Sequence, residues 1–258
     1  MCGQPRIRWT PHKTAVTGAN SGIGLATAER FIAEGAERVF TTGRREPELS
    51  SAAAQLGPRA TPVPGDVGTP ADLDRLYAEV AAAGKGLDVV VANAGSTRVA
   101  RLGEISDDDL DTLLTTNVKG VVYTVQKALP LLNDGASVIL IGSTTADRGR
   151  PRPSIYAASK AAVRSLARAW ANELADRGIR VNVLVAGSTA TPGSDNLALQ
   201  TNPGSSIEEF RATRVSTIPL GRFAESVEIA NAAVFLASDL SSFTTGSAVT
   251  ADGGFNQV

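Results

Sequence analysis

Tyr156 and Lys160 stand four residues apart in the run Tyr156-Ala157-Ala158-Ser159-Lys160. On a helix that spacing puts both on one face. A free phenol has a pKa near ~10 and keeps its proton at neutral pH. A cation within ~4–6 Å favours the phenolate, so a neighbouring lysine turns tyrosine into a usable general acid or base. The same spacing serves ordinary surface partners, so the pair needs company before it means catalysis. The stretch Thr17-Gly18-Ala19-Asn20-Ser21-Gly22-Ile23-Gly24 supplies it. Glycines between a strand and a helix let the backbone turn sharply and approach a pyrophosphate, and the helix start offers free N–H groups and a positive dipole end. A plain tight turn is the competing reading of that stretch.

The elements that must position these groups alternate. Strand patterns cover Thr14–Thr17, Arg38–Thr42, Thr61–Pro64, Asp88–Ala92, Ser137–Ile141, Arg180–Val185 and Ala248–Thr250. Helical patterns cover Ile23–Glu34, Glu46–Gln55, Ala71–Ala83, Asp107–Leu132, Ser154–Arg177 and Ser226–Ala237. The run Asp88-Val89-Val90-Val91-Ala92 is apolar on both faces, as in a parallel strand covered on both sides. Strict alternation predicts an α/β fold: one Rossmann-type, doubly wound parallel sheet of about seven strands with right-handed crossovers. The 258 residues suit a single domain, with residues 1–12 as an N-terminal tail. From Gly187 to Ile218 the rhythm breaks into a Ser/Thr/Asn/Pro/Gly-rich segment with one short helix near Ile207–Arg214. Such a segment reads as a substrate lid carrying Leu197, Leu199, Ile207 and Phe210, or as a plain surface loop.

The glycine spacing is Gly-x-x-x-Gly-x-Gly. With it come Asn93-Ala94-Gly95 after the fourth strand, Asn117 in the long helix, Ser143 after the fifth strand, and the Tyr156/Lys160 pair. In that order these motifs resemble the short-chain dehydrogenase/reductase family, from about Lys13 to Gly254. The resemblance implies an oxidoreductase that moves a hydride between a nicotinamide and a carbonyl or secondary alcohol carbon. Tyr156 would be the acid/base group and Ser143 the donor to the substrate oxygen, chosen over its neighbours Thr144 and Thr145 by register. Asn117 would bend its helix and hold a water linked to Lys160. The cofactor contacts implied are Gly18, Asn20, Ser21, Gly22, Ile23 and Gly24 at the phosphates, and Asp66 and Val67 at adenine. Asn93, Ala94, Gly95, Tyr156 and Lys160 would line the nicotinamide ribose, with Thr189 and Thr191 at the carboxamide and pyrophosphate.

The second strand ends Thr41-Thr42-Gly43-Arg44-Arg45. The position where NAD-using relatives place an aspartate is Gly43. Arg44, with Arg45 beside it, suits a 2′-phosphate, so the cofactor expected is NADP(H) rather than NAD(H). One departure from the family pattern is Ala186, where relatives usually carry proline before Gly187. That change frees φ and restores an N–H, which predicts an altered KM rather than inactivity.

Net charge is −1, which argues against nucleic acid and anionic membranes as partners. One cysteine, Cys2, and one histidine, His12, exclude an intrachain disulfide, a Cys/His metal site and any Ser-His-Asp triad not built on His12. No apolar run reaches the ~18–20 residues of a membrane span, and the first ten residues lack a signal-peptide core. A cytoplasmic setting is expected.

The substrate is less legible. Arg98, Arg101, Arg148, Arg150 and Arg152 offer charge to an anionic substrate or an acidic carrier protein, or are simply solvated. A 3-oxoacyl-carrier-protein reductase is the alternative enzyme. A non-catalytic NADP(H)-sensing regulator would typically lack Tyr or Lys, and both are present. Small residues on two helices (Ala157, Ala158, Ala161, Ala162, Ala167 and Ala171; Ala230, Ala232 and Ala233) allow close packing. The resemblance implies a homotetramer through them.

Overall fold

The computed structural model of the protein describes residues 13–84, 86–149, 151–201, 204 and 206–258. Arg150 and all of the expected N-terminal tail, with Cys2 and His12, lie outside the described residues. Seven strands form one parallel sheet in the order β3-β2-β1-β4-β5-β6-β7. They are β1 Lys13–Thr17, β2 Arg38–Gly43, β3 Ala60–Pro64, β4 Leu87–Ala92, β5 Leu132–Ser143, β6 Arg180–Ala186 and β7 Ala248–Ala251.

Alternate residues of the central strands feed two cores. Val138 and Leu140 of β5 and Val181, Val183 and Val185 of β6 pack with α3 (Pro70–Ala82), α5 (Gly120–Ala128) and α6 (Ser154–Glu173). Ile139, Ile141 and Leu184 face the other way, onto α1 (Gly22–Ala33) and α9 (Ser226–Ala237). α2 (Glu46–Leu56) joins that second layer through Leu56. Burial on both faces explains why the strands read as continuous apolar runs. Order reverses between β1 and β4, so the crevice at the carboxyl ends of the strands opens there, where doubly wound sheets bind ligands.

Three elements differ from expectation. The helix expected over Asp107–Leu132 is α4 (Asp107–Leu114), a π-helical turn at Thr115–Lys119, and α5, which ends at Ala128. Pro130 cannot continue a helix, and Leu132 already pairs with Leu87 in the sheet. α6 likewise stops at Glu173, followed by a 3₁₀ turn at Ala175–Arg177 and Gly178 in the left-handed conformation. The segment 187–218 carries two helices rather than one, α7 (Pro192–Thr201) and α8 (Ile207–Val215). α7 starts where the Thr191 hydroxyl accepts from the Ser194 N–H and Pro192 sits in the first turn, a strong start signal. α8 starts with a capping box between Ser206 and Glu209.

Candidate active site

A cavity of about 590 Å³ runs along the carboxyl ends of the strands, from Arg44 and Asp66 after β2 and β3 to Ser143, Tyr156 and the segment after β6. Its floor is the glycine loop. Gly18 has φ +65°, and a Cβ there would lie 2.8 Å from the Ala94 Cα. A Cβ on Gly24 would lie 2.3 Å from the Gly18 carbonyl oxygen. Glycine is therefore demanded by backbone conformation at one position and by close approach at the other. Asn93 braces this floor, its carboxamide nitrogen lying 2.9 Å from the Thr17 oxygen and 3.1 Å from the Gly18 oxygen. The Thr17 hydroxyl accepts from the N–H groups of both Asn93 and Ala94. The Asn93 carboxamide nitrogen is thus tied to the loop while the residue still lines the cavity.

The cradle fits a dinucleotide. Ser21 precedes α1 without capping it through its side chain, and no acidic residue occupies the first turn. The helix N–H groups are left facing the cavity, as an anion requires. Thr191 lies against Gly22, whose added Cβ would come 3.2 Å from its methyl. Asn20 lies against Gly43, whose added Cβ would meet its Oδ1 at 2.9 Å. Asn20, Ser21, Gly22, Ile23, Arg44, Arg45, Asp66, Val67, Ala94, Gly95 and Thr189 all line the cavity. Arg44 is half-exposed and lies 3.8 Å from Asp66, while Arg45 leans on Glu48 at 3.4 Å. The Thr189 hydroxyl donates to the Gly187 carbonyl at 3.0 Å.

At the far end, Tyr156 and Lys160 share one face of α6 and both line the cavity. Lys160 is buried, and its ammonium donates to the Ile141 carbonyl at 2.9 Å and lies 5.9 Å from the Tyr156 ring centre. Burial lowers its pKa to about 8. Tyr156 shifts the other way. Burial raises the phenol above its ordinary value, and a hydrogen bond with Ser143 opposes that rise. Desolvation is the larger of the two causes, and the Lys160 ammonium is committed to a carbonyl.

Ser143 ends β5, and its oxygen accepts from the Thr145 hydroxyl at 2.9 Å and from the Thr145 N–H at 3.3 Å. With both lone pairs engaged, its own O–H is left to donate. Thr145 gave no signal of this in sequence. Neither did Asn256, whose side-chain nitrogen donates to the Thr144 carbonyl at 3.0 Å and pins the turn from the far end of the chain.

Asn117 lies wholly buried in the π-helical turn. It accepts from the Ser96 N–H at 2.8 Å and donates to the Ser96 carbonyl at 2.9 Å and the Ser159 hydroxyl at 3.1 Å. Asn117 Oδ1 and Lys160 Nζ converge beneath Gly95, at 3.5 and 3.7 Å from where a Cβ would stand. Ala186 ends β6, paired with Ser143 on one side and Ala251 on the other. Of the four lid residues, Leu197 and Phe210 line the cavity; Leu199 and Ile207 do not. Arg101, Arg148 and Arg152 also lie off it, and the backbone carbonyl of Arg152, at φ 84°, accepts from the Ala100 N–H.

Among the described residues no cluster of three or more His, Cys, Asp or Glu could hold a metal ion, and no helix is long and apolar enough to cross a membrane. The model of a protein family described as Enoyl-(Acyl carrier protein) reductase matches residues 18–256. Oxidoreductase asL5 of Sarocladium schorii is 44% identical over 253 residues, covering 97% of this chain and 98% of its own. The 3-oxoacyl-[acyl-carrier-protein] reductase FabG of Thermotoga maritima is 36% identical over 243 residues, covering 93% and 95%. A solved short-chain dehydrogenase/reductase from Brucella melitensis, titled glucose/ribitol dehydrogenase, superposes with a TM-score of 0.87 at 32% identity, covering 95% and 96%. Cradle, paired tyrosine and lysine, topology and relatives converge: this chain belongs to the short-chain dehydrogenase/reductase family and is an oxidoreductase of the carbonyl/alcohol type.

Proposed function

We propose that the protein is an NADP(H)-dependent carbonyl reductase in which Tyr156 delivers the proton and Ser143 steadies the substrate oxygen. The observation that carries this reading is the convergence of Ser143, Tyr156 and Lys160 on one cavity whose other end is the glycine cradle. A reduced nicotinamide, when bound, supplies the hydride. The chain's residues supply the rest. The Ser143 O–H, which bonds Tyr156 here while its oxygen accepts from Thr145, would donate to the developing alkoxide. Tyr156, kept protonated by burial, is a loaded acid at neutral pH. Lys160, with a pKa of about 8, is mostly an ammonium at pH 7 and favours the phenolate once the proton has left. Asn117 holds Ser96 and Ser159 in place and closes the floor beneath Gly95.

The 2′-phosphate preference rests on Arg44, which opens on the cavity with Asp66 3.8 Å away and no carboxylate at position 43. A homotetramer is supported by exposed Val227, Leu240 and Phe243 on and beyond α9. Of the small residues invoked for packing, Ala167, Ala171, Ala230 and Ala233 point into the core, leaving Ala158 and Ala161 outward. A cytoplasmic setting is supported by the single cysteine. The similarity to FabG favours a second reading, in which the substrate is a 3-oxoacyl thioester.

The test is oxidation of NADPH by a panel of ketones, aldehydes and 3-oxoacyl thioesters, run with wild type and Tyr156→Phe. Turnover in wild type and its loss in the variant, with NADPH affinity unchanged, are expected. Variant activity within about threefold of wild type overturns the role of Tyr156. NADPH binding without turnover of any panel member moves weight to a regulator.

A further inference from the structure

Three cations line the Tyr156 end of the cavity: Lys160, Arg98 and Arg214. Lys160 is committed to the Ile141 carbonyl. Arg98 lies 3.6 Å from Asp109. Arg214, on α8, has no carboxylate partner among the described residues. The other arginine of that helix, Arg211, is neutralised by Asp195 at 2.6 Å. Among the described residues that line the cavity, the acidic one is Asp66, at the opposite end of the sheet edge beside Arg44.

Arg214 is also held in place. Its guanidinium lies over the ring of Phe255 at 5.4 Å, and Phe255 is buried. Arg148 covers the same ring at 4.6 Å and donates to the Val258 carbonyl at 2.9 Å. Two guanidinium groups on one ring raise the local positive potential, and the stacked one that faces the cavity has little rotamer freedom left to lose on binding. A planar fork of donors with no anion opposite it matches a carboxylate. A single such cation matches one negative charge better than a phosphate dianion.

Resting on the reductase reading above, we propose that Arg214 receives a carboxylate of the substrate, so that the substrate class is the oxo acid and the product the corresponding hydroxy acid. The apolar lining from Leu197, Phe210 and Phe223 would then contact the carbon chain between carboxylate and carbonyl.

The experiment compares kcat/KM with NADPH for oxo acids of graded chain length and for their methyl esters. The proteins are wild type, Arg214→Leu, Arg214→Lys and Arg101→Leu. Arg101 is exposed and off the cavity, so it controls for general surface charge. Wild type should favour acid over ester by roughly tenfold or more, the scale of one charge-assisted hydrogen-bonded contact. Arg214→Leu should bring that ratio near one, mainly through KM; Arg214→Lys should fall between, and Arg101→Leu should keep the wild-type ratio. Equal use of acids and esters by wild type overturns the anion site while leaving the reductase standing. So does an unchanged ratio in Arg214→Leu, or preference for a phosphorylated ketone over both. Binding of the acids to the NADPH complex is followed in parallel by quenching of nicotinamide fluorescence. Arg214-dependent quenching without turnover keeps the anion site and overturns the reductase reading; neither quenching nor turnover overturns the proposal.

Discussion

Replacing Lys160 by methionine should abolish turnover and, at the same time, relieve a penalty that the fold carries at neutral pH. The lysine falls from 10.5 to about 8 on folding because burial disfavours its charge. A group with a depressed folded pKa binds fewer protons folded than unfolded, so stability rises with pH between those two values. For a shift of this size the cost is about 3 kcal/mol at pH 7 and falls to roughly half of that at pH 9.5. Methionine removes the cost at every pH but leaves the Ile141 carbonyl without its donor, a loss of about 1–3 kcal/mol that does not vary with pH. The net effect at pH 7 therefore lies between neutral and modestly stabilising. The pH dependence is the sharper quantity. The stability of Lys160→Met relative to wild type should fall by about 2 kcal/mol from pH 7 to pH 9.5, or ~4–8 °C in Tm for a chain of this size. Calorimetric melts or urea midpoints of both proteins at the two pH values measure it. A difference that does not change with pH, or that grows, refutes the claim that Lys160 is a desolvated cation.

Two further outcomes follow from the cradle. Arg44→Ala should weaken NADPH by roughly tenfold, the low end for a charge-assisted contact because the side chain is half-exposed, and NADH much less. Equal losses in fluorescence titrations with the two cofactors mean that Arg44 does not read the 2′-phosphate. Gly24→Ala forces a Cβ to within 2.3 Å of the Gly18 carbonyl oxygen and 2.5 Å of the Asn93 side-chain nitrogen. The loop must shift, so dinucleotide affinity should drop at least tenfold with a Tm loss of several degrees; wild-type affinity would show that the cradle is not built as described.

Relations between near neighbours were legible in the sequence. Tyr156 and Lys160 share a face because the helix period puts i and i+4 together, and the glycine loop announces itself because only glycine meets its backbone demands. The order of strands and helices came from alternation alone, and the cavity lies at the strand ends where such alternation places it. Two misreadings were also local and avoidable. Pro130 ends the long helix well before Leu132, and Thr191-Pro192 starts a helix inside the supposed irregular segment.

How distant residues use one another is set by the packing of the chain. Asn93 spends its amide on the glycine loop, Asn117 clamps Ser96 and Ser159, and Asn256 holds the Ser143 turn from 112 residues away. Spacing along the chain carries none of this, because a side chain's partner depends on which strand ends meet. The protonation states belong to the same class. Tyr156 and Lys160 announce an acid/base pair by their spacing, but burial determines that the phenol is raised and the ammonium lowered. Desolvation is a property of the surrounding fold, and the pair's four-residue spacing does not contain it.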